Sequence, residues 1–203
     1  MKVLRWLRIG LALVAVGLLV WRFQLARRPA PTSMPAIDYG RVADFSFIDQ
    51  NGKPFGLKDL EGKVWVADFF FTSCMGPCPL LTTKMAQLQA EFSKNKDLMF
   101  VSFSVDPDYD KPDVLKKYAA TYGAGDNWHF LTGPKEQTYP LIRGSFHLAV
   151  EPTPPGQKPS ITDILHSLHF VLVDKRGRVL GYYITSDPEA MIALRQKLEE
   201  ILK

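Results

Sequence analysis

Two cysteines are the only thiols in this chain, and they stand four residues apart in Cys74-Met75-Gly76-Pro77-Cys78, with Pro79 directly after. A thiolate pair at this spacing can do one of two kinds of chemistry. It can exchange electrons as a dithiol–disulfide couple, or it can clamp a soft metal ion. The preceding residues 64–71, Val-Trp-Val-Ala-Asp-Phe-Phe-Phe, read as a buried strand, and residues 80–92 carry apolar side chains at helical spacing. Both sulfurs should then sit at a strand-to-helix turn, where unpaired backbone N–H groups and the helix dipole favour thiolate over thiol. If the segment is helical, the i, i+4 spacing puts the sulfurs on one face. A disulfide there requires the backbone to bend away from a regular helix. Cu(I) is satisfied by two or three soft ligands and suits the pair better than zinc, which wants four in a closed site. A purely structural disulfide would close too short a loop to remove much chain entropy.

A third donor has to come from elsewhere. The histidines are His129, His147, His166 and His169. His166 is distinguished by position, just after the loop Glu151-Pro152-Thr153-Pro154-Pro155-Gly156-Gln157-Lys158-Pro159-Ser160 and at the start of a strand. In an α/β sheet such loops gather at the edge that carries strand-to-helix turns. His169, three residues on in the same strand, should point to the opposite face. Met75 offers a thioether between the two cysteines, although a flexible apolar cover is its plainer reading. Asp106, Asp108 and Asp110 alternate, but no glycine and glutamate follow at calcium-loop spacing, so they read as a turn.

The elements that must position these groups alternate between strand and helix. Residues 45–50 alternate apolar and polar ahead of Asn51-Gly52, a hairpin signal. After the cysteine helix come a strand over 98–105, a helix over 112–122, a short strand at 128–131 and a helix ending near 146. A second hairpin pairs 166–173 with 179–184 about Asp174-Lys175-Arg176-Gly177, and an amphipathic helix over 188–202 closes the chain. The pattern predicts an α/β, thioredoxin-like sheet with an N-terminal hairpin and flanking helices. Six basic residues (Lys2, Arg5, Arg8, Arg22, Arg27 and Arg28) precede the first acid, Asp38, and the remaining 19 basic residues face 21 acidic ones. The basic character thus belongs to the N-terminus, and no basic face suits nucleic acid. The apolar run 9–21 alone fits a signal-peptide core. Extended to 26 if Arg22 snorkels, it reads as an uncleaved membrane anchor with Trp6 and Trp21 at the interfaces, a cleaved signal being the alternative. The anchor reading divides the chain into an anchor over 1–28, a proline-rich tether over 29–37 and one exported domain over 38–203, in a compartment where a dithiol can be oxidised.

Taken together, Gly62 to Phe71, Thr72-Ser73-Cys74-x-x-x-Cys78-Pro79, Phe45 to Gly52, Ser104 to Pro112, Trp128 to Gly133 and His166-Ser167 resemble the pattern of the SCO/SenC family. Its members are thioredoxin-like, copper-binding assembly factors. The resemblance implies copper, as Cu(I) or Cu(II), held by Cys74 and Cys78 with His166 as third ligand. It also implies delivery to, or thiol reduction at, the dinuclear copper site of cytochrome c oxidase subunit II. A membrane-tethered monomer on the periplasmic or extracytoplasmic side of the inner membrane is expected. Two departures stand out. Met75-Gly76-Pro77 replaces a stretch that usually carries Asp, and Leu165 stands where the family usually has Asp before the ligand histidine, with Asp163 nearby. The rival reading is a thiol–disulfide oxidoreductase that cycles Cys74 and Cys78 to keep a partner's cysteines reduced. A peroxidase of the peroxiredoxin kind fits less well, because Pro77 and Pro79 crowd the second sulfur.

Overall fold

The computed structural model describes residues 38–150 and 168–203, with Gly17, Leu18, Trp21 and Arg22 of the N-terminal segment. The chain divides into two units, 1–37 and 38–203, and all the described strands fall in the second. The anchor read over 9–26 lies, apart from those four residues, outside the described residues. Among the described residues no helix is long and apolar enough to cross a membrane.

Seven strands form one sheet: β1 (Ser46–Asp49), β2 (Pro54–Gly56), β3 (Val64–Phe70), β4 (Leu98–Ser104), β5 (Trp128–Thr132), β6 (His169–Val173) and β7 (Val179–Ile184). Their spatial order is β2-β1-β5-β4-β3-β6-β7. The central trio β5-β4-β3 is parallel, and the two hairpins flank it antiparallel, β1 against β5 and β6 against β3. Parallel neighbours need crossover helices. These are α1 (Cys78–Glu91), between β3 and β4, and α2 (Pro112–Thr121), between β4 and β5. Two right-handed crossovers running the same way along a sheet put their helices on the same face. The Thr82 and Tyr118 hydroxyls accordingly meet at 2.8 Å between α1 and α2. The last helix, α4 (Pro188–Ile201), lies alongside, its Arg195 donating to Glu91 of α1 at 2.6 Å and 3.0 Å. The remaining helix, α3 (Lys135–Ser145), belongs to the other face, where Phe146 at its C-terminus packs edge-on to Trp65 and Phe69.

Strand β3 is buried over its whole length, which is why it reads as an apolar run interrupted only by Asp68 rather than an alternation. Its side chains still alternate. Trp65 and Phe69 meet Phe146, whereas Phe70 stacks on Tyr118 of α2. Asp68 therefore shares the α1–α2 face with Phe70. Both predicted hairpins form, and the predicted elements stand with their ends moved by a few residues. The largest difference at the site is that α1 begins at Cys78, two residues earlier than the apolar pattern suggested. Pro79 explains it, since its fixed φ and missing N–H are tolerated in a first helical turn. Strand β6 begins at His169, and residues 151–167, including the proline-rich loop and His166, lie outside the described residues.

Candidate metal and redox centre

The cysteines occupy the turn that leads from β3 into α1. Cys74 N–H donates to Phe71 O at 3.3 Å, closing a tight turn straight after the strand. Cys78 is the first residue of α1, and its carbonyl accepts the Thr82 hydroxyl at 2.9 Å. Only one of the pair is thus helical, and the expected placing of both on one helix face gives way to a turn followed by a helix start. The turn brings the two residues together by another route. Both are free thiols, Cys74 being 6% and Cys78 1% exposed.

The expected preference for thiolate is reversed at Cys78. Burial pushes its thiol well above the ordinary range, and the adjacent Cys74 sulfur, which takes its hydrogen bond, adds to this. The Phe71 backbone offsets part of the rise, while the Cys74 and Asp68 charges add further. The magnitudes decide the contest. A helix N-terminus stabilises an anion by about 0.3–2 kcal/mol, whereas full burial moves a pKa by up to about 3–5 units, at ~1.4 kcal/mol each. Sequence reveals the dipole but not the depth of the sulfur.

Beneath α1 lies a group that sequence reasoning passed over. Asp68 is 1% exposed, and neither carboxylate oxygen has a hydrogen-bond partner among the described residues. Burial pushes its pKa up to about 7. The Ser102 hydroxyl, opposite it in the β3–β4 register, lowers the value somewhat, but it also accepts Trp128 Nε1–H at 2.9 Å and is not within bonding geometry of Asp68. A charged residue inside an otherwise apolar strand is the signal the sequence offers for it.

A second aspartate fixes the cysteine turn from outside. Asp110, wholly buried, accepts the Thr72 N–H at 3.1 Å, the Thr72 hydroxyl and the Ser104 hydroxyl, the last at 2.5 Å. Burial holds its pKa above the usual carboxylate value despite these donors. The aspartate cluster is therefore more than the local turn read from its spacing. Asp110 ties the β4–α2 loop to the residue two before Cys74. Asp108 instead pairs with Lys135 at 2.6 Å.

Three of the four histidines are placed away from the cysteines. His129 stacks on Phe55 at 4.1 Å with Nδ1 3.7 Å from Asp49, His147 meets the Tyr39 carbonyl at 3.0 Å, and His169 lies edge-on to Tyr182. His166 falls outside the described residues. The chain re-enters two residues later at Leu168, whose carbonyl accepts the Thr185 N–H and hydroxyl at 2.9 Å and 3.0 Å. Thr185 O in turn accepts Lys84 Nζ of α1. Among the described residues no group of three or more His, Cys, Asp or Glu side chains gathers to hold a metal. A groove of about 820 Å³ beside Pro107, Lys111, Lys135 and Arg143 lies elsewhere, and neither cysteine lines it.

The donor set fits a soft monovalent ion. Two sulfur donors stand together in a mostly apolar setting that resists ionisation, and a cation that replaces thiol protons leaves less net charge to bury than two bare thiolates. A vicinal dithiol presented where a buried strand runs into a helix, on a sheet of this order, defines a thioredoxin-like dithiol protein. The SCO1/SenC family model matches residues 38–203, and the chain belongs to that family. The SCO1 protein homolog of Bacillus subtilis is 40% identical over 144 residues, 70% of this chain and 72% of its own. BsSco, in which a disulfide switch was identified, is a member of the Sco family of cytochrome c oxidase assembly proteins. It is 36% identical, with a TM-score of 0.69 over 84% of this chain and 97% of its own. The copper-bound ScoI of Bradyrhizobium japonicum is 24% identical, with a TM-score of 0.63 over 77% of this chain and 99% of its own, a likeness of fold.

Proposed function

We propose that this protein is a membrane-tethered copper chaperone in which Cys74 and Cys78 supply two sulfur ligands and His166 the imidazole. It would serve the assembly of the dinuclear copper site of cytochrome c oxidase, with subunit II or another exported copper protein as recipient. The observation that carries the reading is the pair of free, buried sulfurs brought together at the β3–α1 turn of a SCO1/SenC domain. Two further observations support His166. The other three histidines are engaged elsewhere, and the chain returns from 151–167 at Leu168, tied through Thr185 to α1. The basic, apolar segment 1–28 is read as the anchor that holds the domain on the extracytoplasmic side.

Copper binding displaces the thiol protons, so loading requires the reduced dithiol and oxidation abolishes it. The same pair therefore supports a second role, thiol–disulfide exchange with a partner's cysteines, and the disulfide switch of BsSco favours keeping it. Anaerobic Cu(I) titration of the reduced full chain separates the two. Binding of one equivalent with loss of both free thiols, weakened in His166→Ala, is the expected result. Thiols that stay free in excess Cu(I), beside reversible disulfide formation, would leave the exchange role alone.

A further inference from the structure

Met75 is an outlier in burial. Its neighbours on either side of the motif, Cys74 and Cys78, are 6% and 1% exposed, yet Met75 is 99% exposed. Burying a methionine is worth about 1.5–3 kcal/mol, and this one forgoes all of it. The side chain covers nothing, so the flexible apolar cover suggested by sequence is not its role. It stands one residue from Cys74, on a side chain with three rotatable bonds and a polarisable thioether. The thioether is a soft donor that has no proton to lose. The two cysteine sulfurs are almost wholly covered, and Met75, next to Cys74 in the chain, is the exposed sulfur of the motif.

We propose that Met75 is the outer donor of this centre, taking Cu(I) at the surface and passing it inward to Cys74 and Cys78. The inference rests on the copper reading above and deepens it. The step is ligand exchange. A thioether–copper bond gives way to thiolate–copper bonds, the thiol protons leave to solvent, and copper stays Cu(I) throughout, so no oxidant or reductant is required. The exposed thioether supplies the donor that the described His, Cys, Asp and Glu side chains do not.

The test uses the detergent-solubilised full chain, reduced and anaerobic, labelled with ¹³C at the methionine methyl groups. The six methionines are resolved by their methyl resonances, that of Met75 being the one lost in Met75→Leu. Cu(I) is added as its acetonitrile complex below one equivalent, while free thiol is measured in parallel. The Met75 methyl resonance is expected to shift with the first additions. Met75→Leu is expected to lose the fast phase of copper capture yet still bind one equivalent. Leucine keeps the apolar area, so this loss reports on the sulfur and not on surface contact. A Met75 resonance that stays still while the thiols are consumed would overturn this inference alone, as would capture by Met75→Leu at the wild-type rate. Thiols left free at one equivalent would overturn the copper reading and the inference with it.

Discussion

Replacing Asp68 with asparagine should stabilise the protein at neutral and alkaline pH, by an amount that vanishes in acid. The carboxyl is buried without a hydrogen-bond partner among the described residues, and its pKa is pushed up from 3.8 to about 7. In the unfolded chain it ionises near its ordinary value. Between those two pH values the folded state holds a proton that the unfolded state has released, so unfolding becomes easier as pH rises. The sign is therefore that of a raised folded pKa, with stability fully present below pH 3.8 and lost as pH climbs through about 7. The interval is about three pH units at ~1.4 kcal/mol each, which gives a loss of roughly 4 kcal/mol above pH 8 as an upper bound. Asparagine carries no charge at any pH and escapes this loss while keeping the shape. Urea unfolding of reduced wild type and Asp68→Asn at pH 4, 6 and 8 should give nearly equal stabilities at pH 4. At pH 8 a gap of several kcal/mol should separate them, with asparagine the more stable. Other titrating groups are common to both proteins and cancel in the difference. A gap that does not widen between pH 4 and pH 8 would refute the claim that Asp68 is ionised at a cost inside the fold.

The same variant should lower the thiol pKa of Cys78, since a negative charge that holds the proton on is removed, but burial should keep it above the ordinary thiol value. The pH dependence of alkylation in Cys74→Ser, with and without Asp68→Asn, measures this. Asp110→Ala strands the Thr72 N–H and two hydroxyls, and should cost about 1–3 kcal/mol in urea unfolding, with faster alkylation of both cysteines as the turn loosens. Gly133→Ala would drive its new methyl into the Phe47 ring, which is packed against Phe45 and Phe103, and should destabilise the β1 side of the sheet. A loss of about 1–3 kcal/mol is expected from such overpacking, with copper stoichiometry unchanged.

The fold was legible because its signals are local. Asn51-Gly52 and Asp174 to Gly177 close the two hairpins, the run at 64–70, apolar but for Asp68, marks a strand buried on both faces, and Pro112 and Pro188 stand in the first turns of their helices. The site was legible only in part, because what matters there is non-local. Asp110 lies 38 residues from Thr72, and no spacing rule links them. The depth of Cys78 depends on how α1 lies over the β3–β4 face, which the motif does not encode. Asp68 illustrates the same limit. Its type was plain, but its isolation follows from which neighbours fail to reach it.

The reversal at Cys78 bears on how the two proposed roles can share one pair of sulfurs. An exposed dithiol at a helix N-terminus would be ionised more readily and would react with whatever electrophile or metal arrived first. Here burial holds the Cys78 proton in place, and the Asp68 charge reinforces it. Only a partner that compensates for the lost proton can displace it, whether by placing a positive charge at the sulfur or by forming a bond to it. Cu(I) does the first and a mixed disulfide does the second. Copper loading releases those protons to solvent and should become less favourable as pH falls, whereas in the exchange the proton passes to the leaving thiolate of the partner's disulfide. A pH titration of copper affinity therefore reads the same burial as the alkylation profile of Cys78. If affinity proved flat where the thiol remains protonated, copper would have to bind without displacing that proton, and Cys78 would drop out of the ligand set.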